Sequence, residues 1–195
     1  KCQPVLDCLK SVRTPQSRVL LMGPTGQQFT QAKARELVKQ DHLILLCGHY
    51  EGFDARIRAY VDEEISIGDY VLTGGELASM VIADAVTRLV PGVITEESHL
   101  DESFENGLLE YPQYTRPVDY EGHTVPEVLL SGHHENIRKF RLKESLRLTL
   151  RVRPDLLENR SFTKEERKLL DEVLEEESRE EVGEWLESPE IKLDL

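Results

Sequence analysis

Three short apolar runs, each ended by glycine and followed by a helical pattern, predict an α/β fold with a parallel sheet and helices on both faces. The runs are residues 18–22 (Arg-Val-Leu-Leu-Met), 42–47 (His-Leu-Ile-Leu-Leu-Cys) and 64–67 (Glu-Ile-Ser-Ile). A second observation is where the glycines fall. They sit in Gly23-Pro24-Thr25-Gly26, in Gly48 to Gly52 and in Gly68 to Gly75, each at the carboxyl end of a run. Parallel sheets bind ligands at that edge. A third is a change of composition after Gly107, where a Pro- and Tyr-rich stretch gives way to long charged helices.

In chain order, residues 4–11 read as a short helix. The first strand follows, ended by its glycine loop. Thr30 is an N-cap for a helix to about Gln40. After the second strand, Asp54 caps a short helix through Tyr60. The third strand leads through Gly68-Asp69 and Thr73-Gly74-Gly75 into a helix ended by Pro91-Gly92. That helix carries only Glu76, Asp84 and Arg88 as charges, so it is expected to be buried in a core or an interface. Residues 93–106 are polar and acidic and read as a linker. Residues 108–117 are irregular. A helix from about His133 to Val152 carries Leu142, Leu146 and Leu150 on one stripe and Lys139, Lys143, Arg147 and Arg151 on the next. Thr163 and Glu166 form a capping box for an acidic final helix.

The 195 residues suit one large or two small domains, and the chain opens on Lys1, as a fragment would. Three cysteines without metal-ligand spacing fit a reducing cytoplasm. No apolar run has transmembrane length. The net charge of −13 argues against nucleic acid only until it is localised. Residues 134–153 hold seven bases against two acids, whereas residues 164–195 hold five bases against thirteen acids. Local charge decides where phosphates dock, so the leucine stripe is expected to pack and to leave the basic stripe displayed. A solvated helix face is the plain alternative.

No G-x-G-x-x-G follows a strand and no Walker A sequence is present. No Cys/His cluster supports a metal, and adjacent His133 and His134 face different ways on a helix. Each glycine loop alone reads as a tight turn. Three on one edge point to a flat, hydrogen-bonding ligand, such as adenine, read by backbone groups. Asp84 and Arg88 stand i,i+4, so they form an internal ion pair or free Arg88 to stabilise charge on a substrate. The acids at Asp101 and Glu102 serve solubility, or one is a general base on a closing loop.

Four blocks carry a family resemblance: residues 47–56 (Cys-Gly-His-Tyr-Glu-Gly-Phe-Asp-Ala-Arg), 65–77 (Ile-Ser-Ile-Gly-Asp-Tyr-Val-Leu-Thr-Gly-Gly-Glu-Leu), 107–117 (Gly-Leu-Leu-Glu-Tyr-Pro-Gln-Tyr-Thr-Arg-Pro) and 129–138 (Leu-Leu-Ser-Gly-His-His-Glu-Asn-Ile-Arg). They resemble the bacterial tRNA (guanine-N1)-methyltransferases, the TrmD family of the SPOUT class, over nearly the whole chain. The resemblance implies a SPOUT-type parallel sheet with a deep trefoil knot, plus a small, mainly helical C-terminal domain. It implies a knotted S-adenosylmethionine-binding domain at 1–94, lacking its N-terminal part, a linker at 95–106 and a helical tRNA-binding domain at 107–195. The implied reaction is methyl transfer from S-adenosylmethionine to N1 of the tRNA guanosine immediately 3′ of the anticodon. The implied setting is a cytoplasmic homodimer, with the active site between subunits.

Carried over residue by residue, the cofactor pocket comprises Pro24, Gly48, Tyr50, Glu51, Ile67, Gly68, Tyr70, Leu72, Gly74 and Gly75. Arg88 matches the catalytic arginine. The general base is Glu102, where the family has Asp, or the adjacent Asp101. Leu21 stands where the family often has Tyr. Lys139, Lys143 and Arg147 are the expected tRNA contacts. The resemblance also implies Mg2+, for which the sequence fixes no ligand set. Two rivals remain: a non-catalytic RNA-binding protein of the same fold, and a related knotted enzyme that methylates a ribose 2′-hydroxyl.

Overall fold

The computed structural model describes residues 1–50, 52–94 and 103–187, with side chains of the final helix described through 179. The chain divides into two compact units, Lys1–His99 and Leu100–Leu195.

The first unit begins with helix α1 (Cys2–Val12) and contains strands β1 (Ser17–Gln28), β2 (His42–Leu46) and β3 (Glu63–Ser66). All pair in parallel, in the order β2-β1-β3. The central strand is the most apolar, and Val19, Leu20, Leu21 and Met22 are all buried. Helices α2 (Gln31–Leu37) and α3 (Glu76–Thr87) pack on the sheet. Leu20, Met22, Ala34, Leu37, Ile65, Ala78, Ile82 and Val86 form the core. The caps are local. The Thr30 hydroxyl accepts from the Lys33 N–H at 3.3 Å, and the Asp54 carboxylate accepts from the Arg56 N–H at 3.0 Å above a 3-10 turn, Ala55–Tyr60.

Strand β1 runs further than its sequence suggests. Met22 and Gln27 both pair with Ile65, so the chain loops out at residues 23–26 and then resumes the ladder. Gly26 makes this possible by lying on the backbone of β3. A Cβ there would fall 2.3 Å from the Glu64 carbonyl carbon. Pro24 and the two glycines do break the strand, but tertiary pairing restores it.

Helix α3 meets the core with only part of its apolar surface. It buries Ala78, Ile82 and Val86, an i,i+4 stripe, while Leu77, Met80 and Val81 are exposed on this chain. Nearly uniform apolarity thus serves two faces, of which only one meets the sheet.

The second unit holds a hairpin, β4 (Asp119–Tyr120) and β5 (His123–Thr124), just after the stretch read as irregular, where the sequence announced no element. Its turn places Glu121 and Gly122 at φ of 55° and 85°, the positive values of a tight hairpin turn. Helices α4 (Glu127–Leu130), α5 (His134–Val152), α6 (Asp155–Glu158) and α7 (Lys164–Glu187) follow. Leu108, Leu146, Leu169 and Leu170 form this unit's core, flanked by Leu142, Leu150, Leu157 and Phe162. Buried Thr149 donates its hydroxyl to the Ser145 carbonyl and accepts from the Leu109 N–H at 2.9 Å, which fixes residues 108–110 on α5. The capping box forms in full. The Glu166 carboxylate accepts from the Thr163 N–H at 2.7 Å, and the Thr163 hydroxyl from the Glu166 N–H at 3.1 Å.

Among the described residues, no helix is long and apolar enough to cross a membrane.

Candidate functional site

The three glycine-bearing loops of the first unit converge on a cavity of about 460 Å³, within the size range of small-molecule sites. Of the residues singled out for the cofactor, Pro24, Gly48, Tyr50, Ile67, Gly68, Tyr70, Leu72, Gly74 and Gly75 all line it. Glu51 lies outside the described residues.

The loops are held to one another by backbone. The Gly75 N–H donates to the Gly48 carbonyl at 2.9 Å, and His49 bridges to Gly74. Close approach requires glycine at Gly75, where a Cβ would sit 2.9 Å from the Cys47 Cα. Gly68 needs it as well, because its φ of 148° is one that residues with a Cβ rarely adopt. Behind the wall, the Ser79 hydroxyl donates to the Gly75 carbonyl at 3.0 Å and lies 2.8 Å from the Cys47 Sγ. The start of α3 is thereby tied to the end of β2.

A polar group on the cavity wall was not legible from motifs. The Glu64 carboxylate accepts from Thr25 Oγ1 at 2.5 Å and from Arg58 Nε at 3.0 Å, and Arg58 also reaches Thr25 Oγ1 at 3.2 Å. Partial burial pushes the Glu64 carboxyl up. The hydrogen bonds from Arg58 and Thr25, with the guanidinium charge, outweigh it and hold the group below its ordinary range. Asp54, also on the wall, is held far below its ordinary range by the Arg56 guanidinium and N–H. These residues come from three separate segments, so no local spacing announces them. A cavity walled by glycines, with an apolar floor at Ile65 and Ala78 and two carboxylates, Glu64 and Asp54, each held by an arginine, fits a flat, nucleoside-sized ligand.

The other expected residues are placed differently. Arg88 caps the C-terminal end of α3, is exposed and is not among the cavity's lining residues. Asp101 and Glu102 lie outside the described residues. Among the described residues, no group of three His, Cys, Asp or Glu side chains comes together to hold a metal.

The basic stripe corrects the sequence reading most clearly. Lys143 donates to Glu172 at 3.2 Å and Glu176 at 2.8 Å. Arg147 contacts Glu144, Glu176 and Glu177, and Arg151 pairs with Glu177 at 2.6 Å. The side chains of Lys143 and Arg147 are only 19% and 20% exposed. The stripe packs against the acidic face of α7 instead of being displayed, because two helices of opposite charge gain by facing each other. Burial lowers the Lys143 ammonium, and its bonds to Glu176 and Glu172 overcome this and raise it. Lys139 remains half-exposed, 3.5 Å from Glu135.

Comparison with known proteins fits this geometry. The family "tRNA (Guanine-1)-methyltransferase TrmD" matches residues 1–159. A protein of Aster yellows witches'-broom phytoplasma (strain AYWB), named "tRNA (guanine-N(1)-)-methyltransferase", is 59% identical over 89% of this chain and 72% of its own length. Proteins of the same name from Streptococcus gordonii (58%, over 92% and 74%) and Streptococcus pyogenes serotype M4 (57%, over 90% and 74%) are similarly close. A match over the first 159 residues, with more than half of the aligned positions identical in each relative, shows that the chain belongs to the tRNA (guanine-1)-methyltransferase TrmD family.

Proposed function

We propose that this chain is a tRNA (guanine-N1)-methyltransferase that methylates N1 of guanosine 37, immediately 3′ of the anticodon, with S-adenosylmethionine as donor. The carrying observation is the convergence of three strand-end loops on one cavity in a chain 57–59% identical to enzymes of that name. Bound S-adenosylmethionine supplies a methyl group on a sulfonium, and its departure as a neutral thioether needs no acid. The wall at Gly48, Gly68, Gly74 and Gly75 carries no side chain and so leaves room for the adenine against the main chain, with Leu72 and Ile67 as apolar cover.

The remaining work is deprotonation and positioning. Guanine N1 carries a proton at neutral pH. Glu102, or Asp101, takes that proton as general base. Negative charge then gathers on O6, where the Arg88 guanidinium stabilises it. No residue is assigned to Mg2+, because no described donor set fits it.

The proposal includes the deep trefoil knot, the helical unit as tRNA-binding domain, a cytoplasmic setting and a homodimer with the active site between subunits. The exposed Leu77, Met80 and Val81 on α3 support a subunit contact there, since contiguous apolar surface usually marks an interface. The hydrogen bond from Gly75 back to Gly48 supports a chain that returns onto its own earlier loop.

The test is methyl incorporation into an unmodified tRNA transcript with guanosine at position 37, followed by mapping of the methylated atom. N1-methylguanosine is expected. Binding without methylation overturns the enzyme reading, and a methyl on the ribose 2′-oxygen overturns the chemistry.

A further inference from the structure

In the second unit, carboxylates neutralise almost every base of α5. Arg138 pairs with Glu135 and Glu165 and Lys139 with Glu135, while Lys143, Arg147 and Arg151 face α7; just past the helix, Arg153 pairs with Asp155. Arg141 is the exception. Among the described residues no carboxylate pairs with it, and its guanidinium lies over the Tyr111 ring, 4.8 Å from the centroid. Exposed Arg116 likewise has no carboxylate partner among the described residues.

These two cations share a second cavity, of about 520 Å³, with Tyr111, Tyr114, Phe140 and Leu129. Among the described residues, no acidic side chain lines it. It is half-open, with Tyr114 47% exposed. The segment that leads into Tyr111 is anchored on α5, where the Leu109 N–H is bonded to Thr149.

We propose that this pocket binds one unstacked nucleotide of the RNA substrate, its base on Tyr111 and Tyr114 and its phosphate on Arg116 and Arg141. The inference rests on the tRNA reading above. Unpaired loop bases are recognised by stacking on aromatic and guanidinium planes, and a guanidinium fork matches a phosphate. Charge selects the place. The chain carries −13 overall, and the obvious basic stripe is neutralised internally. Cations with no acid beside them offer the anionic strand a site that requires no ion pair to be broken. The concave, aromatic shape favours a single nucleotide over a duplex backbone.

The experiment is equilibrium binding of an unmodified tRNA transcript to the full chain across a salt series. Tyr111→Leu is expected to weaken binding roughly tenfold, while Tyr111→Phe, which keeps the stacking face, stays at wild-type affinity. Arg141→Gln and Arg116→Gln are each expected to weaken binding and to lower the salt slope by about one. Arg116→Gln sits on an exposed loop and serves as the variant that leaves α5 untouched. S-adenosylmethionine affinity and circular dichroism report retained folding. Wild-type tRNA affinity in Tyr111→Leu and both arginine variants overturns the pocket. Methyl transfer by the wild-type chain, run in parallel, separates the readings. Methylation with unchanged variant binding rejects the pocket alone, and variant binding loss without wild-type methylation rejects the enzyme reading alone.

Discussion

The two units solve the problem of building a surface in opposite ways. In the first, the candidate site is made of backbone: glycines bring loops into contact, and a Cβ at Gly26 or Gly75 would collide with main chain. In the second, the surface is made of long charged side chains, which bind each other across α5 and α7. A glycine announces its role at its own position. A lysine does not, because its role depends on what faces it. Substitution at glycine should therefore be severe in the first unit, and loss of charge should be mild and pH-dependent in the second.

The largest effect expected is at Arg88. Under the role proposed for it, Arg88→Ala lowers turnover about 100-fold or more with S-adenosylmethionine affinity retained, as measured by single-turnover kinetics beside calorimetry. Lost donor affinity would instead place Arg88 in the donor site. Glu102→Gln should likewise cost more activity than Asp101→Asn, and the reverse order moves the base to Asp101.

Next is Gly26→Val, which should destabilise the first unit by about 3 kcal/mol in denaturant melts, because the obstacle is the backbone of β3. Gly52→Ala is its control. It has a positive φ but open space around it, and should cost about 1 kcal/mol. Equal losses at both positions would mean that strain, not close approach, explains the glycines.

In the second unit, Arg147→Ala should lower stability by about 1 kcal/mol, since partial exposure screens its pairs with Glu176 and Glu177. The pH dependence has two signs. Hydrogen bonding to Lys143 holds the Glu176 carboxyl below its ordinary 4.5, so this stabilisation is present above that value and is lost as pH falls through the depressed folded value. The raised Lys143 ammonium stabilises below 10.5, and that part is lost as pH rises through its folded value. Thermal midpoints of wild type and Glu176→Gln should differ at neutral pH and converge in acid. A constant difference would dissociate the pair from stability.

The smallest effect is expected for Lys139→Ala, within about 0.5 kcal/mol, because its pair with Glu135 is exposed. Its tRNA affinity, compared with that of Lys143→Ala, asks whether exposure decides which base meets phosphate. A larger loss at the part-buried Lys143 would show that α7 gives way to RNA.

Local signals carried much of this fold. Thr30, Asp54 and Thr163 cap as their sequence positions predict, because a cap involves residues two or three apart. The glycine loops were legible as turns at the strand ends for the same reason, and the structure brings all three to one cavity. The Thr25–Arg58–Glu64 group was not, because its members are up to 39 positions apart. The β4–β5 hairpin was missed because two-residue strands leave no alternation to read.

By itself, the sequence determined the three strands of the first unit, the longer helices, the glycine-bearing edge and the family. Periodicity, turn chemistry and residue identity are properties of short segments. Only the tertiary structure decided that β1 resumes after its loop, that α3 buries one stripe of its apolar surface, and that the basic stripe of α5 is neutralised by a helix about 30 residues further on. Those outcomes depend on which distant backbone or opposite charge comes within a few ångströms, and no local pattern encodes that distance.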